Sequence, residues 1–352
     1  MLTILDVVRR TTSFFEKCGV PQPKLDAEWI IAHSLNLARM DLYLQFERPL
    51  EEAQLAPIRK LVKRRGAREP LQHLIGFVDF AGLRITCDKR ALIPRPETEE
   101  FTEILYDEFA TKPPQRILDL GTGSGAMALA FAKIFPSAQV VATDISSDAL
   151  LLAQENAANN KLSDKVSFRL GNWFESLQKN EPAFDLIASN PPYLSNQEWE
   201  CSQPEVREHD PKLALVSENE GRDLLLHILT ASKQHLNPGG LLAMETGELH
   251  HELLIEKATI VAGRSSTLLM TAIVLKKPIV QIYRDDSNSD TYDPIILHIE
   301  ESELNHVLLN PAEYYSSKIG TETINEYIKE KIGPIDGRST QRIIRNILSE
   351  IS

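Results

Sequence analysis

The stretch Asn190-Pro191-Pro192-Tyr193 combines hydrogen-bond acceptors with an aromatic ring. It follows the apolar run 184–189, which is typical of a buried strand bounded by turn residues. Two consecutive prolines cannot continue a strand ladder, so they stiffen the chain where the strand ends. The stretch could accept the N–H groups of an amide nitrogen or an exocyclic amine, and Tyr193 offers a flat face for stacking. Taken alone, these four residues are more typical of a stiff loop than of a site.

A glycine-rich turn lies upstream, between a predicted strand at 117–120 and a predicted helix at 126–135. The turn is Gly121-Thr122-Gly123-Ser124-Gly125. Glycine lets a ligand approach the backbone, and the first N–H groups of the helix point toward that ligand. The spacing differs from the dinucleotide pattern Gly-x-Gly-x-x-Gly, and no lysine follows to form a phosphate loop.

A carboxylate at the end of the next strand narrows the ligand class. Residues 140–143 form an apolar run that ends in Asp144, where a carboxylate suits the two hydroxyl groups of a ribose. A tight glycine turn without a pyrophosphate cradle favours a nucleoside that carries an amino acid, such as S-adenosylmethionine. A simpler role for Asp144 or Ser146 is to cap the helix that begins near Ser147. The order and spacing of these residues favour the cofactor interpretation.

The composition is typical of a cytoplasmic enzyme. The chain has 352 residues, enough for two or three domains, and a formal net charge of −12. That charge argues against direct binding to nucleic acid, which depends on neutralising phosphates. The cysteines Cys18, Cys87 and Cys201 are far apart, which suggests reduced thiols and shows no metal-ligand spacing. We see no signal peptide or membrane span in the sequence, and we expect a monomer.

Four stretches together resemble one enzyme family. They are residues 65–72, residues 92–99, the glycine turn and residues 190–193. Over about residues 1–248 the chain resembles the bacterial release-factor glutamine methyltransferases, also called protein-(glutamine-N5) methyltransferases. Asn-Pro-Pro-Tyr also occurs in adenine-N6 methyltransferases of DNA and RNA, which remain an alternative, whereas residues 93–99 point to the glutamine enzymes. The resemblance implies a Rossmann-like class I fold that uses S-adenosylmethionine to methylate a peptide-chain release factor, in its Gly-Gly-Gln loop.

Residues 1–80 are predicted to form a helical domain, which the resemblance assigns to substrate recognition. Apolar residues near its start follow helical spacing with Thr3 as a cap, and Pro21 and Pro23 precede a second helix. A third helix is expected over about 51–65. A basic cluster on and just after that helix consists of Arg59, Lys60, Lys63, Arg64, Arg65 and Arg68. We favour a solvated face for this cluster; the alternative is a docking surface for an acidic protein partner or for RNA near it.

Residues 81–250 are expected to form the methyltransferase domain, entered through a hairpin over about 80–87 and a helix that begins near Glu97. Glu97 and Glu99 suit the first turn of that helix because carboxylates interact favourably with its dipole. Further strands are predicted at 117–120, 140–143, 166–170, 184–189 and 241–245, with helices at 126–135, 148–159 and 222–234. This alternation predicts an α/β fold with a parallel sheet covered on both faces and ligands at the carboxyl ends of its strands.

Three motifs fall at such strand ends, and we expect them in one crevice: the glycine turn, Asp144 and Asn190. Trp173 follows the third strand, and the family pattern favours contact with the cofactor over ordinary packing. The predicted cofactor-binding residues are Gly121, Thr122, Gly123, Ser124, Gly125, Asp144, Trp173 and Asn190.

An amide nitrogen is a poor nucleophile because its lone pair is delocalised into the carbonyl. We expect Asn190 and the Pro191 carbonyl to accept its two N–H groups and Tyr193 to pack on the amide plane. Catalysis is then orientation plus electrostatic stabilisation by Asn190, Pro191 and Tyr193, and Pro192 completes the substrate site. A sulfonium already activates the methyl group, so no metal is expected. His209 and Asp210 are interpreted as loop residues and not as a catalytic base.

Residues 251–352 depart from the family pattern, in which two further strands close the sheet. Residues 258–267, 272–280 and 336–340, with the terminal helix, resemble the distal half of a two-lobed nucleotide-sugar glycosyltransferase or glycerophosphotransferase. Such an enzyme without its acceptor lobe has no complete site. We therefore favour a C-terminal α/β appendage that replaces the missing strands. The alternative is a sugar- or glycerol-phosphate transferase whose methyltransferase half is inert.

Overall fold

A computed structural model describes residues 1–247, His250 and the strands Ala272–Leu275, Ile279–Ile282 and Ile295–His298. The chain forms two compact units, each built from several segments. The first contains Met1–Pro113, Asp119–Gln178 and Pro192–Gly221, and the second contains Pro114–Leu118, Lys179–Pro191 and the described residues from Arg222 onward. Among the described helices, none has the length and apolar character that a membrane span requires. The glycosyltransferase-like stretches 258–267 and 336–340 and the terminal helix lie outside the described residues.

Helices dominate the first part of the chain, as predicted. Its elements are β1 (Leu2–Thr3), α1 (Ile4–Lys17), α2 (Pro23–Leu35), α3 (Asp41–Leu44), β2 (Pro49–Leu50), α4 (Glu52–Gly66) and α5 (Leu71–Ile75). Thr3 caps α1, since its hydroxyl accepts the Asp6 N–H at 3.2 Å while the Asp6 carboxylate accepts the Thr3 N–H at 3.0 Å. Pro23 opens α2 instead of preceding it, because the first helical position needs no N–H donor.

A hairpin and a helix follow. They are β3 (Phe77–Phe80), β4 (Leu83–Thr86) and α6 (Pro96–Glu108), with β3 and β4 antiparallel. Glu97 and Glu99 occupy the first turn of α6 as predicted. Glu99 also accepts the Ala81 N–H at 2.7 Å, so this carboxylate holds the turn of the hairpin as well as facing the helix dipole.

Strands and helices alternate through the rest of the described chain. The elements are β5 (Arg116–Leu120), α7 (Ala126–Ile134), β6 (Gln139–Asp144), α8 (Ser147–Asn159), β7 (Val166–Leu170), β8 (Phe184–Ser189), α9 (Asn196–Cys201), α10 (Pro204–His209), α11 (Arg222–Ser232), β9 (Leu236–Met244), β10 (Ala272–Leu275), β11 (Ile279–Ile282) and β12 (Ile295–His298). Six strands form one sheet in the order β10-β9-β8-β5-β6-β7. The pairs β6–β7 and β8–β9 are parallel, so the predicted α/β architecture is confirmed.

The edge of this sheet differs from the prediction in two ways. Strand β9 starts at Leu236 and not near Leu241, because Leu236 pairs with Phe184 across an irregularity before regular pairing resumes at Leu241 and Leu186. Strand β10 pairs antiparallel with β9, from Ala272 opposite Met244 onward. Residues 272–275 therefore contribute one strand to the sheet, and the interpretation of residues 251–352 as an appendage stays a prediction.

Candidate functional site

The glycine turn after β5 adopts a backbone that side chains rarely tolerate. Gly121, Gly123 and Gly125 have φ values of +75°, +55° and +82°. The N–H groups of Gly121 and Thr122 both donate to the Thr143 carbonyl at 2.9 Å, which fastens the turn to the end of β6. The turn is thus a rigid platform at the carboxyl end of β5, where the sequence analysis placed it.

Asp144 lies directly beside this platform. One carboxylate oxygen accepts the Gly123 N–H at 2.8 Å and the other accepts the Ser146 N–H at 2.9 Å. Burial raises the pKa of Asp144, although these backbone N–H groups favour its charged form. Ser146 caps α8 by accepting the Ala149 N–H at 3.2 Å. The capping role considered for both residues therefore belongs to Ser146, while Asp144 fixes the position of the turn.

The structure adds Asp119 to the site, which the sequence analysis missed. Its side chain is fully buried in β5, and its Oδ2 accepts the Thr122 hydroxyl at 2.6 Å. Burial raises the pKa of Asp119 to about 7, and the nearby Asp144 acts in the same direction. Its Oδ1 has no hydrogen-bond partner among the described residues. The available signal was a carboxylate among the apolar residues of β5, two positions before the first glycine.

Trp173 reaches the same turn from the end of β7. It opens a short 3₁₀ turn, Trp173–Ser176, with a φ of +49°, a conformation that is strained for a bulky side chain. A Cβ placed on Gly121 would lie 3.5 Å from Cζ3 of its indole ring. The structure therefore brings Trp173, Asp144 and the glycine turn together, as predicted.

A buried asparagine, Asn156, holds the glycine turn through a hydrogen bond. Asn156 of α8 is fully buried, and its Nδ2 donates to the Ser124 carbonyl at 3.0 Å and to the Thr86 carbonyl at 3.2 Å. Its Oδ1 accepts the Thr86 N–H at 2.7 Å. One side chain thus joins the glycine turn to β4 of the hairpin. Its contacts could not be predicted because both partners are distant in the sequence.

The stretch Asn190-Pro191-Pro192-Tyr193 begins where β8 ends, as predicted from the apolar run. Pro191 is buried, and the other three residues are partly buried. The boundary between the two compact units falls between Pro191 and Pro192. The expected convergence of Asn190 with the glycine turn and Asp144 stays a prediction.

The interpretation as loop residues was wrong for His209 and is confirmed for Asp210. His209 ends α10, and Asp210 follows it with only 1% of its side chain exposed. Arg95, from the family-like stretch 92–99, donates to Asp210 Oδ2 at 2.6 Å. The Arg95 guanidinium offsets the cost of burying the Asp210 carboxylate, and the pair joins the two segments.

The basic cluster is not a uniform solvated face either. Arg59, Lys60, Lys63 and Arg64 are exposed, in agreement with the favoured interpretation. Arg65 instead is buried. Arg65 lies on the inner side of the helix, where it pairs with Asp26 and Glu205, which are far away in the sequence.

Within the described part of the chain, no cluster of His, Cys, Asp or Glu is placed to hold a metal ion.

Comparisons with known proteins agree with these observations. Residues 6–76 match the family model described as the PrmC N-terminal domain, and residues 95–204 match the methyltransferase small domain. The chain is 39% identical over 270 residues to the release factor glutamine methyltransferase of Rhodopirellula baltica, which covers 76% of this chain and 87% of that protein. It is 40% identical over 247 residues to the protein of that name from Geobacter sulfurreducens, covering 70% of this chain and 84% of that protein.

Solved methyltransferase structures resemble parts of the chain. A methyltransferase from Pyrococcus furiosus covers 55% of this chain and 89% of its own, with 22% identity and a TM-score of 0.41. The relationship itself follows from the curated relatives, which are similar along most of their length. The chain belongs to the family of release factor glutamine methyltransferases.

Proposed function

We propose that this chain transfers the methyl group of S-adenosylmethionine to the side-chain amide nitrogen of a glutamine in a peptide-chain release factor. The observation that carries the proposal is the glycine turn tied to Asp144 beside Trp173, in a chain whose relatives are named for this reaction. The Gly-Gly-Gln loop of the release factor is the site that the family resemblance implies.

The residues around the turn fit S-adenosylmethionine. A Cβ on Gly123 would have only the Ala91 Cβ near it, at 4.0 Å, so the turn is open on that side. Asp144 accepts backbone N–H groups, and a carboxylate offers about four acceptor sites, so capacity remains for the hydroxyls of a ribose. We assign the cofactor to Gly121, Thr122, Gly123, Ser124, Gly125, Asp144, Trp173 and Asn190. When bound, it supplies a methyl group already activated by a sulfonium.

The chain's own contribution to the reaction is orientation. We assign Asn190 Oδ1 and the Pro191 carbonyl as acceptors for the two N–H groups of the glutamine amide. Tyr193 is assigned to pack on the amide plane, and the two prolines limit the freedom of the backbone between these groups. Acceptors held in place favour the geometry in which the nitrogen lone pair points at the methyl carbon. They also stabilise positive charge that develops on the nitrogen.

Replacing Asn190 tests this assignment. Asn190→Ala should reduce methyl transfer to release factor by at least about a hundredfold, in line with the loss of a preorganised polar group. S-adenosylmethionine should still bind, as measured by calorimetry, because the other seven residues assigned to the cofactor are unchanged. The exposed Asn196→Ala is the matched control and should leave both quantities unchanged. Near-normal turnover by Asn190→Ala would overturn the acceptor role.

The substrate class is tested separately with the unaltered chain. Mass spectrometry after incubation with release factor and S-adenosylmethionine should show one added methyl group on a glutamine. Labelled methyl transfer to DNA or RNA, with none to release factor, would instead support the adenine-N6 alternative.

The remaining organisation follows from the same proposal. Residues 1–80 are assigned to recognition of the protein substrate, residues 81–250 to methyl transfer, and residues 251–352 to an extension that supplies β10. We place the enzyme in the cytoplasm, where release factors meet ribosomes, and propose that it acts as a monomer.

A further inference from the structure

The segment from Tyr193 to Gly221 is here called the acceptor loop, and its two ends lie next to each other. The Leu194 N–H donates to the Leu215 carbonyl at 2.9 Å, and the Ser217 N–H donates to the Leu194 carbonyl at 3.1 Å. Gly221 lies so close to Tyr193 that a Cβ on it would be 2.8 Å from the Tyr193 Cα. The position of this loop therefore determines where the Tyr193 backbone lies.

Glu205, in helix α10 of the acceptor loop, binds two arginines from the family-like stretch 65–72. Arg68 donates from Nε to Oε1 at 2.7 Å and from Nη2 to Oε2 at 2.6 Å, which is a bidentate pair. Arg65 Nη2 lies 2.8 Å from Glu205 Oε1. Arg68 also donates to Gln203 at 2.8 Å. Two guanidinium groups thus bind the same carboxylate in helix α10 of the acceptor loop.

Arg65 is itself anchored in the helical region. Its Nε donates to Asp26 Oδ2 in α2 at 2.7 Å, and its Nη1 donates to the Glu69 carbonyl at 3.1 Å. Only 5% of the Arg65 side chain and 15% of the Glu205 side chain are exposed. The chain Asp26–Arg65–Glu205–Arg68 therefore connects α2, the end of α4 and α10.

These contacts are better suited to fixing geometry than to stabilising the fold. A buried ion pair contributes little net stability compared with apolar residues of similar volume, because both charges lose their hydration. Arg68 also adopts a φ of +69°, and a left-handed backbone costs a residue with a Cβ about 1–2 kcal/mol. What the bidentate pair provides is a single orientation of the two partners.

A second pair holds the same loop further along. Asp210, just after α10, pairs with Arg95 of the stretch 92–99 at 2.6 Å, and its side chain is almost fully buried. The acceptor loop is thus fastened at its base, at Glu205 and at Asp210. Two of these three attachments use arginines from stretches that carry the family resemblance.

We propose that Arg65 and Arg68 are positioning residues for methyl transfer. Through Glu205 they hold the acceptor loop, and with it Tyr193, at a fixed place relative to the helices of residues 1–76. A protein substrate bound by those helices then meets Tyr193 in a defined register. This inference rests on the proposed function, in which Tyr193 packs on the glutamine amide.

Arg68→Lys tests the proposal with little risk to folding, because Arg65 still pairs with Glu205 and the charge is kept. Glu205→Gln is the second variant, and it weakens both guanidinium contacts. Glu52→Gln is the matched control: it breaks the exposed pair of Glu52 with Arg59 on helix α4, which does not involve the acceptor loop. The measurements are kcat and KM with release factor, the dissociation constant of S-adenosylmethionine, and hydrogen–deuterium exchange of peptides from residues 193–221.

Arg68→Lys and Glu205→Gln should lower kcat about tenfold and speed exchange in the acceptor loop, while cofactor affinity stays within about twofold. Glu52→Gln should change none of these quantities. Unchanged exchange in the loop, or faster exchange with an unchanged kcat, would overturn the positioning role. Failure of the wild-type chain to methylate release factor would instead contradict the proposed function, and the exchange data would still test the arginine contacts.

Discussion

Replacing Asn156 should weaken the fold and the cofactor site together. Asn156→Ala removes the partners of three backbone groups, namely the N–H and carbonyl of Thr86 and the carbonyl of Ser124. Each unsatisfied buried group costs about 1–3 kcal/mol, so even the low end gives a loss of about 3 kcal/mol in the free energy of unfolding. For a domain of this size that corresponds to a fall in Tm of about 6–12 °C.

Asn160, the residue that follows α8, provides a matched control at the end of the same helix. Its side chain pairs with Arg84 as Asn156 pairs with Thr86: Nδ2 donates to the carbonyl at 2.9 Å and Oδ1 accepts the N–H at 3.3 Å. Four helical residues span about 6 Å and two strand residues about 6.7 Å, so Asn156 in α8 and Asn160 just after it can both pair with β4. These contacts face solvent, and water can replace them. Asn160→Ala should therefore cost no more than about 1 kcal/mol.

The assays for this pair are thermal unfolding and calorimetry with S-adenosylmethionine. Because only Asn156 reaches Ser124, Asn156→Ala should also raise the dissociation constant about tenfold, equivalent to about 1.4 kcal/mol. Asn160→Ala should leave it unchanged. Equal Tm shifts for the two variants would refute the burial argument. A large Tm shift with unaltered affinity would show that the glycine turn keeps its place without Asn156.

Two further predictions concern Tyr193 and Asp119. Gly221→Ala should lower kcat strongly with cofactor binding retained, because its Cβ would lie 2.8 Å from the Tyr193 backbone. Gly239 has a φ of +79°, similar to the +78° of Gly221, but no atom lies within 4 Å of a Cβ placed on it. Gly239→Ala therefore controls for backbone strain alone. Equal kcat values for the two variants would contradict the predicted clash with Tyr193. Burial raises the pKa of Asp119 to about 7, whereas an unfolded Asp ionises near about 3.9, so the unfolded state releases its proton first. The folded state therefore loses stability as pH rises from about 4 to about 7. Asp119→Asn should show a smaller fall in Tm over that range than the wild type. Parallel curves of Tm against pH for the two proteins would show that Asp119 does not cause the pH dependence.

Much of the α/β domain could be predicted because its signals are local. Strand β8 is an apolar run bounded by turn residues, whereas apolar and polar residues alternate along β7, and both strands begin and end at the predicted residues. The glycine turn was equally accessible to prediction, since its three positive φ values strongly favour glycine. The domain boundaries at 80 and 250 remain predictions.

Contacts between distant segments could not be predicted in the same way. Arg65 has the same charge and setting in the sequence as Arg64, yet one is buried and the other exposed. The difference arises because Asp26 and Glu205 lie on the inner side of α4, and no local pattern encodes that meeting. Asn156 likewise looks like an ordinary helical polar residue until β4 is packed against it.

A short motif cannot position itself, and this explains why the family resemblance is spread over separate stretches. The prolines after Asn190 stiffen the backbone locally, but they cannot determine where Tyr193 lies relative to a bound protein. That requires contacts between the acceptor loop and the rest of its unit, which Arg68 and Arg95 provide through Glu205 and Asp210. Substitutions at either arginine should then share one kinetic signature, a lower kcat at unchanged cofactor affinity. Substitutions at Asn156 and Asp119 should instead lower cofactor affinity at an unchanged kcat, because these side chains bond to residues of the glycine turn.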